Sequence, residues 1–353
     1  MTEHTFYSTP EYYDDLIERL ASAAPGDYFI TVNMVTRIHP QVQPLLDAMG
    51  AAAKRGVAVT LITDAYQFLT DPDHDFILGP LFFNSHLPAR LPKRFQATKA
   101  GFDKLEAAGV SVIITNEPGR AFTNPKAGRS HIKFTVTGDR YYIATANLTP
   151  FRKLDVIAGA NDARIAEWLR TLAARMMSMR SGSKVMSDKD VTFETPSATL
   201  FLDAGIRDRS IIYDQALALI DSAKEFVFLT CQFFPYGRTA AHLAAAHRRG
   251  VKVTVLYNHD TCHARPSRWI HRALVLRERT RRPKELFAHP VLPPRYLHAK
   301  VLATDQGTLI GSHNYVEIGT NLGTAELQLL VRDRDFAEQA MAAVIAQLPP
   351  VSQ

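Results

Sequence analysis

Hydrophobic positions along this chain follow two alternating periods. In YYDDLIERLASAAPGDYFITVNMV the apolar residues first recur at helical spacing, then break at Pro25 and Gly26, then continue as a run of aromatic and β-branched residues. That order predicts an amphipathic helix, a turn and a strand. VQPLLDAMGAAAKRGVAVTLITD repeats the scheme, with a helix closed by Lys54, Arg55 and Gly56 and a strand behind it. Far downstream, YDQALALIDSAKEFVFLTCQFF and AAHLAAAHRRGVKVTVLYN give helix and strand, then helix, basic pair with Gly, and strand again. The chain reads as α/β and as containing one unit twice, although this grammar is generic and does not alone establish a duplication.

A polar hairpin behind each unit does establish it. SHIKFTVTGDRYYIATANLTP carries His131, Lys133 and Asn147, and LHAKVLATDQGTLIGSHNY carries His298, Lys300 and Asn314. Sixteen positions separate His from Asn in both, and Thr145 and Ser312 precede each Asn by two. A lone His-x-Lys is common, but two copies with equal spacing behind matching helix-strand units are not a chance pattern. Between them, MRSGSKVMSDKDVTFETPSA (residues 179–198) is rich in Ser, Lys and Asp and reads as a linker. The expected organisation is a first half over residues 1–182, a linker over 183–194 and a second half over 195–353. The helix ARIAEWLRTLAARMM is expected to pack on the first half.

Composition narrows the partners. The chain has 353 residues, more than one small core usually organises, and 46% hydrophobic with 22% charged residues excludes disorder. A formal charge of +6 and a pI near 9.2 weight the partner towards an anion, either a phospholipid surface or nucleic acid. Cys231 and Cys262 form neither a disulfide framework nor a Cys-x-x-Cys zinc pattern, which fits a reducing compartment. MTEHTFYSTPEYYDD lacks the features of a signal peptide, and no window approaches the run of about 20 apolar residues needed to span a bilayer. A cytoplasmic chain, at most peripheral at a membrane, is the expectation.

On a strand, residues two apart share a face, so His131 with Lys133 and His298 with Lys300 each point one way, and the returning arm brings Asn147 or Asn314 back towards them. Each half supplies half a site. Imidazole, ammonium and carboxamide in duplicate, with no clustered carboxylates to hold a metal, suit a phosphodiester. Lysines and asparagines bind its non-bridging oxygens, one neutral histidine attacks phosphorus, and the other, protonated, serves the leaving oxygen. Acidic neighbours would hold the histidines' protonation states apart, and Asp155 in RKLDVIAG and Glu326 in GTAELQLL are the candidates. Thr145 and Ser312 are placed as substrate contacts. NHDTCH (residues 258–263) and DPDHD (residues 71–75) contain ligand types without the spacing of a zinc or calcium site. No metal or other cofactor is expected.

SHIKFTVTGDRYYIATAN and LHAKVLATDQGTLIGSHN resemble the two HxK…D…GSxN motifs of the phospholipase D superfamily, and KRGVAVTLITD and RRGVKVTVLYN resemble the strands preceding them. The resemblance implies two α/β/α lobes, each with a mostly central mixed sheet, related by pseudo-twofold symmetry, and a metal-independent site at their interface. It implies phosphodiester cleavage or phosphatidyl transfer through phosphohistidine, as in phospholipases D or cardiolipin synthases. By family pattern His131 is the nucleophile and His298 the acid/base, with Lys133, Lys300, Asn147 and Asn314 holding phosphate. The second motif keeps the family spacing from Lys300 to Asp305. The first has Gly138 in that slot, Asp139 one later, and ATAN where Gly-Ser is usual. A nuclease of the same superfamily is the alternative, and a binding module with a decayed site a third.

Two segments bear on the substrate. Gly56 and His131 are 75 positions apart, Gly250 and His298 only 48. The first half thus carries an insertion, with Phe76, Ile77, Leu78, Leu81, Phe82, Phe83 and Leu87 ahead of Arg90, Lys93, Arg94 and Lys99. It reads as an interfacial segment beside lipid headgroups or as a buried cover. HARPSRWIHRALVLRERTRRPKE (residues 263–285) is dense in arginine around Trp269. It suits anionic headgroups or a nucleic-acid backbone, or else is a solvated helix with Ile270, Leu274 and Leu276 turned inward.

Overall fold

Each helix and strand predicted for the two repeats forms. The computed structural model describes residues 3–68, 93–116, 129–178, 189–263 and 265–348. The first half runs β1 (Thr5–Tyr7), α1 (Thr9–Ser22), β2 (Tyr28–Asn33), α2 (Gln43–Lys54), β3 (Ala58–Asp64), α3 (Lys93–Ala107), β4 (Ser111–Thr115), β5 (Phe134–Thr137), β6 (Arg140–Ala144), β7 (Ile157–Asn161) and α4 (Ala163–Ser178). The second runs β8 (Val191–Glu194), β9 (Thr199–Ala204), α5 (Ile211–Ser222), β10 (Phe226–Cys231), α6 (Arg238–Arg248), β11 (Lys252–Asn258) and α7 (Arg265–Arg279). It continues with β12 (His289–Val291), β13 (Val301–Thr304), β14 (Gly307–Gly311), α8 (Glu317–Leu322), β15 (Ala325–Val331) and α9 (Arg334–Ile345). The shared basic-Gly signature works as expected: Gly56 and Gly250 follow α2 and α6 with φ of +95° and +87°, the left-handed turn that releases the chain into β3 and β11.

The strands make two mixed sheets, in the orders β1-β7-β6-β5-β2-β3-β4 and β12-β11-β10-β13-β14-β15-β9-β8. Read from opposite ends these are one topology, with β2, β3 and β4 matching β10, β11 and β12, and β5, β6 and β7 matching β13, β14 and β15. The first trio is parallel in each sheet and the rest antiparallel. Registers also correspond: Thr31 pairs with Thr135 and Leu229 with Leu302. Among the described residues β8 is the one addition. Its residues fall in the stretch read as linker, yet they form an edge strand on β9, with Val191 and Phe193 half-buried and Thr192 and Glu194 exposed. Period-2 alternation over four residues is easily lost in a polar surrounding.

Apolar side chains form three clusters. α1 and α2 cover the outer face of the first sheet, with Leu16, Leu46 and Leu61 among those packed. α5 and α6 cover the outer face of the second, with Ile220, Leu243 and Leu309. The inner cluster belongs to both halves: α4 contributes Leu169 and Leu172, α9 Phe336 and Val344, the first sheet Phe134 and Val136, and the second Val301 and Ile310. Thus α4 packs on the first half as expected, but in a core that continues across the boundary. Most of the first-half insertion, including Phe76, Ile77, Leu78, Leu81, Phe82, Phe83, Leu87 and Arg90, lies outside the described residues, as does DPDHD. Lys99 is exposed on α3 and pairs with Asp103 at 2.7 Å. No helix among the described residues is long and apolar enough to cross a membrane.

Candidate active site at the lobe boundary

Neither His-x-Lys triplet lies within a strand. β5 begins at Phe134 and β13 at Val301, one residue after each lysine. The triplets are extended leads into those strands, and they pair across the lobe boundary: His131 N donates to Ala325 O at 2.8 Å, and His298 N to Leu154 O at 2.9 Å. Ala325 N likewise donates to Arg129 O, and Leu154 N to Tyr296 O, both at 2.8 Å. Strand parity survives this. Ile132 and Ala299 enter the shared core, while the flanking His and Lys take the opposite side.

These crossed ladders hand each histidine to the other half's carboxylate. His298 Nδ1 is 2.8 Å from Asp155 Oδ1, and His131 Nδ1 is 3.1 and 3.2 Å from the two Glu326 oxygens. The contacts expected of Asp155 and Glu326 therefore form between halves. Thr145 and Ser312, expected at the substrate, are fully buried and hold the carboxylates instead. Thr145 Oγ1 donates to Asp155 Oδ1 at 2.6 Å and accepts from Val156 N at 3.0 Å. Ser312 Oγ donates to Glu326 Oε2 and accepts from Leu327 N at 3.0 Å. One hydroxyl thus ties each carboxylate to the backbone of the residue that follows it.

Burial and charge set the protonation states. Burial raises both carboxyls, but His298, Lys300 and Thr145 outweigh it at Asp155 and hold that group well below its usual range. At Glu326, His131, His313 and Lys133 do the same, and the group falls to about 2. Burial pushes the histidines the other way, His131 below its ordinary value and His298 to about 3. Each pair at neutral pH is a carboxylate and a neutral imidazole. Nδ1–H then donates to the carboxylate, leaving Nε2 as the reactive nitrogen.

Both lysines are buried, and each Nζ donates to the carbonyl of its own histidine, Lys133 at 2.8 Å. Burial, with Lys300 next, drives Lys133 well below the ordinary lysine range, and burial first among several causes brings Lys300 to about 8. Ammonium groups that burial disfavours in this way gain from an arriving anion. Asn147 Oδ1 accepts from Val35 N at 3.3 Å, so its amide NH2 is the end it can offer. Asn314 Oδ1 is buried with no hydrogen-bond partner among the described residues.

Further groups hold the site and were missed as such in the sequence. Asp64 Oδ2 accepts from Ser130 N at 2.8 Å, and Asn258 Oδ1 from Leu297 N at 2.7 Å, so each clamps the residue before a histidine. Their equivalent places at the ends of β3 and β11 were the available signal. Asp64 also pairs with buried Arg129 at 3.3 Å. His313 Nδ1 accepts from Tyr315 N at 3.0 Å, and burial lowers this ring to about 4, with Glu326 and His131 in its field. Asp305 is not at the site: it lies at the far end of β13 and accepts from Lys224 N and Glu225 N at 3.0 and 3.1 Å. Gly311 explains the departure at ATAN. A Cβ there would meet Gln328 Oε1 at 2.1 Å and Leu327 O at 2.2 Å, whereas Ala144 fits opposite Ile157. Among the described residues no three His, Cys, Asp or Glu converge as a metal-binding group.

Residues 216–346 match the family described as "Cardiolipin synthase, PLD-like domain". That stretch of the second half is similar to a phospholipase D-like domain. The same fold recurs across both halves in solved structures. Phosphatidylserine synthase from Haemophilus influenzae Rd KW20 superposes with a TM-score of 0.64 at 13% identity, over 98% of this chain and 84% of that one. Polyphosphate kinase from Porphyromonas gingivalis superposes with a TM-score of 0.60 at 12% identity, over 99% of this chain. The chain spans about half, 51%, of that kinase. No curated protein matches the chain. The two-lobed α/β fold is thus shared by similar structures, and the matched stretch contains His298, Lys300, Asn314 and Glu326.

Proposed function

We propose that this protein is a phosphodiesterase or phosphatidyltransferase acting on phospholipids through a phosphohistidine, with no metal in the reaction. The observation that carries the reading is the reciprocal pair of buried carboxylate–imidazole contacts across the lobe boundary, with two buried lysines in the same electrostatic field. Lys133, Lys300, Asn147 and Asn314 take the non-bridging oxygens. Nε2 of His131 attacks phosphorus, the bond from phosphorus to the leaving oxygen breaks, and that oxygen takes the proton of His298. Water or an alcohol then gives its proton to His298 as its oxygen attacks, and the phosphorus–nitrogen bond opens to restore His131.

His298, at about 3 in the free protein, holds its proton only with the anionic diester in place, because the diester's charge opposes the effect of burial. The assignment of His131 as nucleophile follows the role of the N-terminal motif in the resembling superfamily. The names of the matching family and of the phosphatidylserine synthase favour phospholipid over nucleic acid. The test is turnover of phosphatidylglycerol vesicles in EDTA, with single-stranded DNA as competitor substrate and His131→Ala and His298→Ala as controls. Phosphatidic acid or cardiolipin formed by wild type alone supports the reading. Cleavage of DNA with lipid untouched replaces it by the nuclease.

A further inference from the structure

Beside the site, α7 presents an apolar stripe to solvent. Trp269, Ile270 and Leu276 are exposed at 69%, 64% and 64%, while His271 and Glu278 of the same helix are buried. Positions 269, 273 and 276 share a helical face, here Trp, Ala and Leu, with Ile270 next to it. Leu292, 57% exposed in the loop between β12 and β13, extends the surface. Cys262 Sγ lies 3.4 Å from Val291 O and 3.6 Å from Arg295 O, which sets that loop against the start of α7.

The charge around the stripe is mostly positive, with Asp260 meeting Arg272 at 3.8 Å. Residues 265–282 contain seven arginines and one acid, Glu278, which is buried and paired with Arg277 and Arg282 at 2.9 and 3.3 Å. Arg272, Arg277, Arg279 and Arg281 are exposed, and the Arg272 guanidinium lies 6.0 Å from the Trp269 ring. The site is close by. His263 stacks on Phe233 at 5.0 Å and meets Tyr296 at 6.0 Å, and Tyr296 is two residues from His298.

We infer that α7 and Leu292 seat the protein on an anionic phospholipid bilayer, the apolar stripe entering the headgroup boundary and the arginines meeting lipid phosphates. Aliphatic Ile270, Leu276 and Leu292 have nothing to gain from a nucleic-acid backbone, which rewards cations and stacked rings. The purpose of the surface rests on the phospholipid reading above, but its test does not depend on turnover.

The chain has two tryptophans, and Trp168 stacks on Phe193, so Trp168→Phe leaves Trp269 as sole reporter. Fluorescence of that protein, carrying His298→Ala to prevent turnover, is followed with phosphatidylglycerol and phosphatidylcholine vesicles. The expected result is a blue shift and quenching by brominated acyl chains with phosphatidylglycerol, binding at least tenfold weaker in Ile270→Ser/Leu276→Ser, and unchanged turnover of a soluble nitrophenyl phosphodiester when that pair is made in the active protein. No shift with either lipid overturns the inference. So does a shift with single-stranded DNA in place of vesicles, or with protein concentration alone, which would indicate a nucleic-acid face or a second copy. Docking without hydrolysis or transfer of phosphatidylglycerol by the active protein would leave this inference standing and remove the proposed function.

Discussion

Replacing Asp155 by Asn separates the crossed pairing from every arrangement in which a half serves itself. His298 Nδ1 and Thr145 Oγ1 both bond Asp155 Oδ1, so the Asn carboxamide oxygen can keep both contacts and the change removes charge alone. The side chains of His298 and Asp155 are only 6% and 3% exposed. Unit charges about 4 Å apart at an effective dielectric near 20 attract by about 4 kcal/mol. Losing that support for the imidazolium slows proton transfer by about 10³-fold, at about 1.4 kcal/mol per decade. The assay uses a nitrophenyl phosphodiester, whose leaving group needs no proton. Asp155→Asn should then behave as His298→Ala: one nitrophenolate released per site in a burst, followed by slow turnover, with phosphate on His131 after alkaline quenching. A loss under tenfold would refute the argument. So would the absence of a burst, as in His131→Ala, because it would mean that Asp155 serves its own half.

Stability should respond to pH through His298. Its folded value of about 3 lies below the ordinary value of 6.5, so the unfolded chain binds that proton more readily. The contribution is complete above pH 6.5 and is lost as pH falls towards 3, and Tm by calorimetry should decline through that window, less steeply in His298→Gln. A flat wild-type profile would contradict this. Asp64→Ala strips the buried Arg129 guanidinium of its carboxylate and releases the residue before His131, which should destabilise by about 3–5 kcal/mol in urea unfolding. A change below 1 kcal/mol by the same measurement, roughly the worth of an exposed pair, would count against the clamp. Gly311→Ala should destabilise by about 1–3 kcal/mol because Leu327 O is backbone and cannot rotate away, with Ala144→Gly nearer 1 kcal/mol or less. Equal effects of the two would show that the halves do not differ there.

Much of this fold is written locally. Apolar spacing in α1, α2, α5 and α6 marks the helices, and Gly56 and Gly250 mark where they must end, because a left-handed φ is a demand on a single residue. His131, Lys133 and Asn147 could be read with His298, Lys300 and Asn314 because their spacing repeats. What was not legible depends on how the halves face each other. No period in RKLDVIAG shows that Asp155 meets His298 across 143 residues. Thr145 and Ser312 looked like substrate contacts because a hydroxyl near an Asn carries no mark of its partner. The face of α7 was also ambiguous. One of its two readings turned Ile270 and Leu276 inside, but His271 Nε2 accepts from Phe234 N at 3.1 Å, and that polar anchor turns the aliphatic residues outward.

The exchange of carboxylates between halves has a consequence for the life of the chain before folding is complete. When only the first half has left the ribosome, His131 exists without Glu326, and Asp155 without its imidazole. The His131 ring is then not held in the tautomer that exposes Nε2. Under the proposed function, reactivity towards phosphorus would arrive in one step, with the docking of the second half, and would disappear as abruptly if the halves parted. A proteolytic cut in the connection between them would leave both carboxylate–imidazole contacts to re-form only on reassociation, since each is non-covalent.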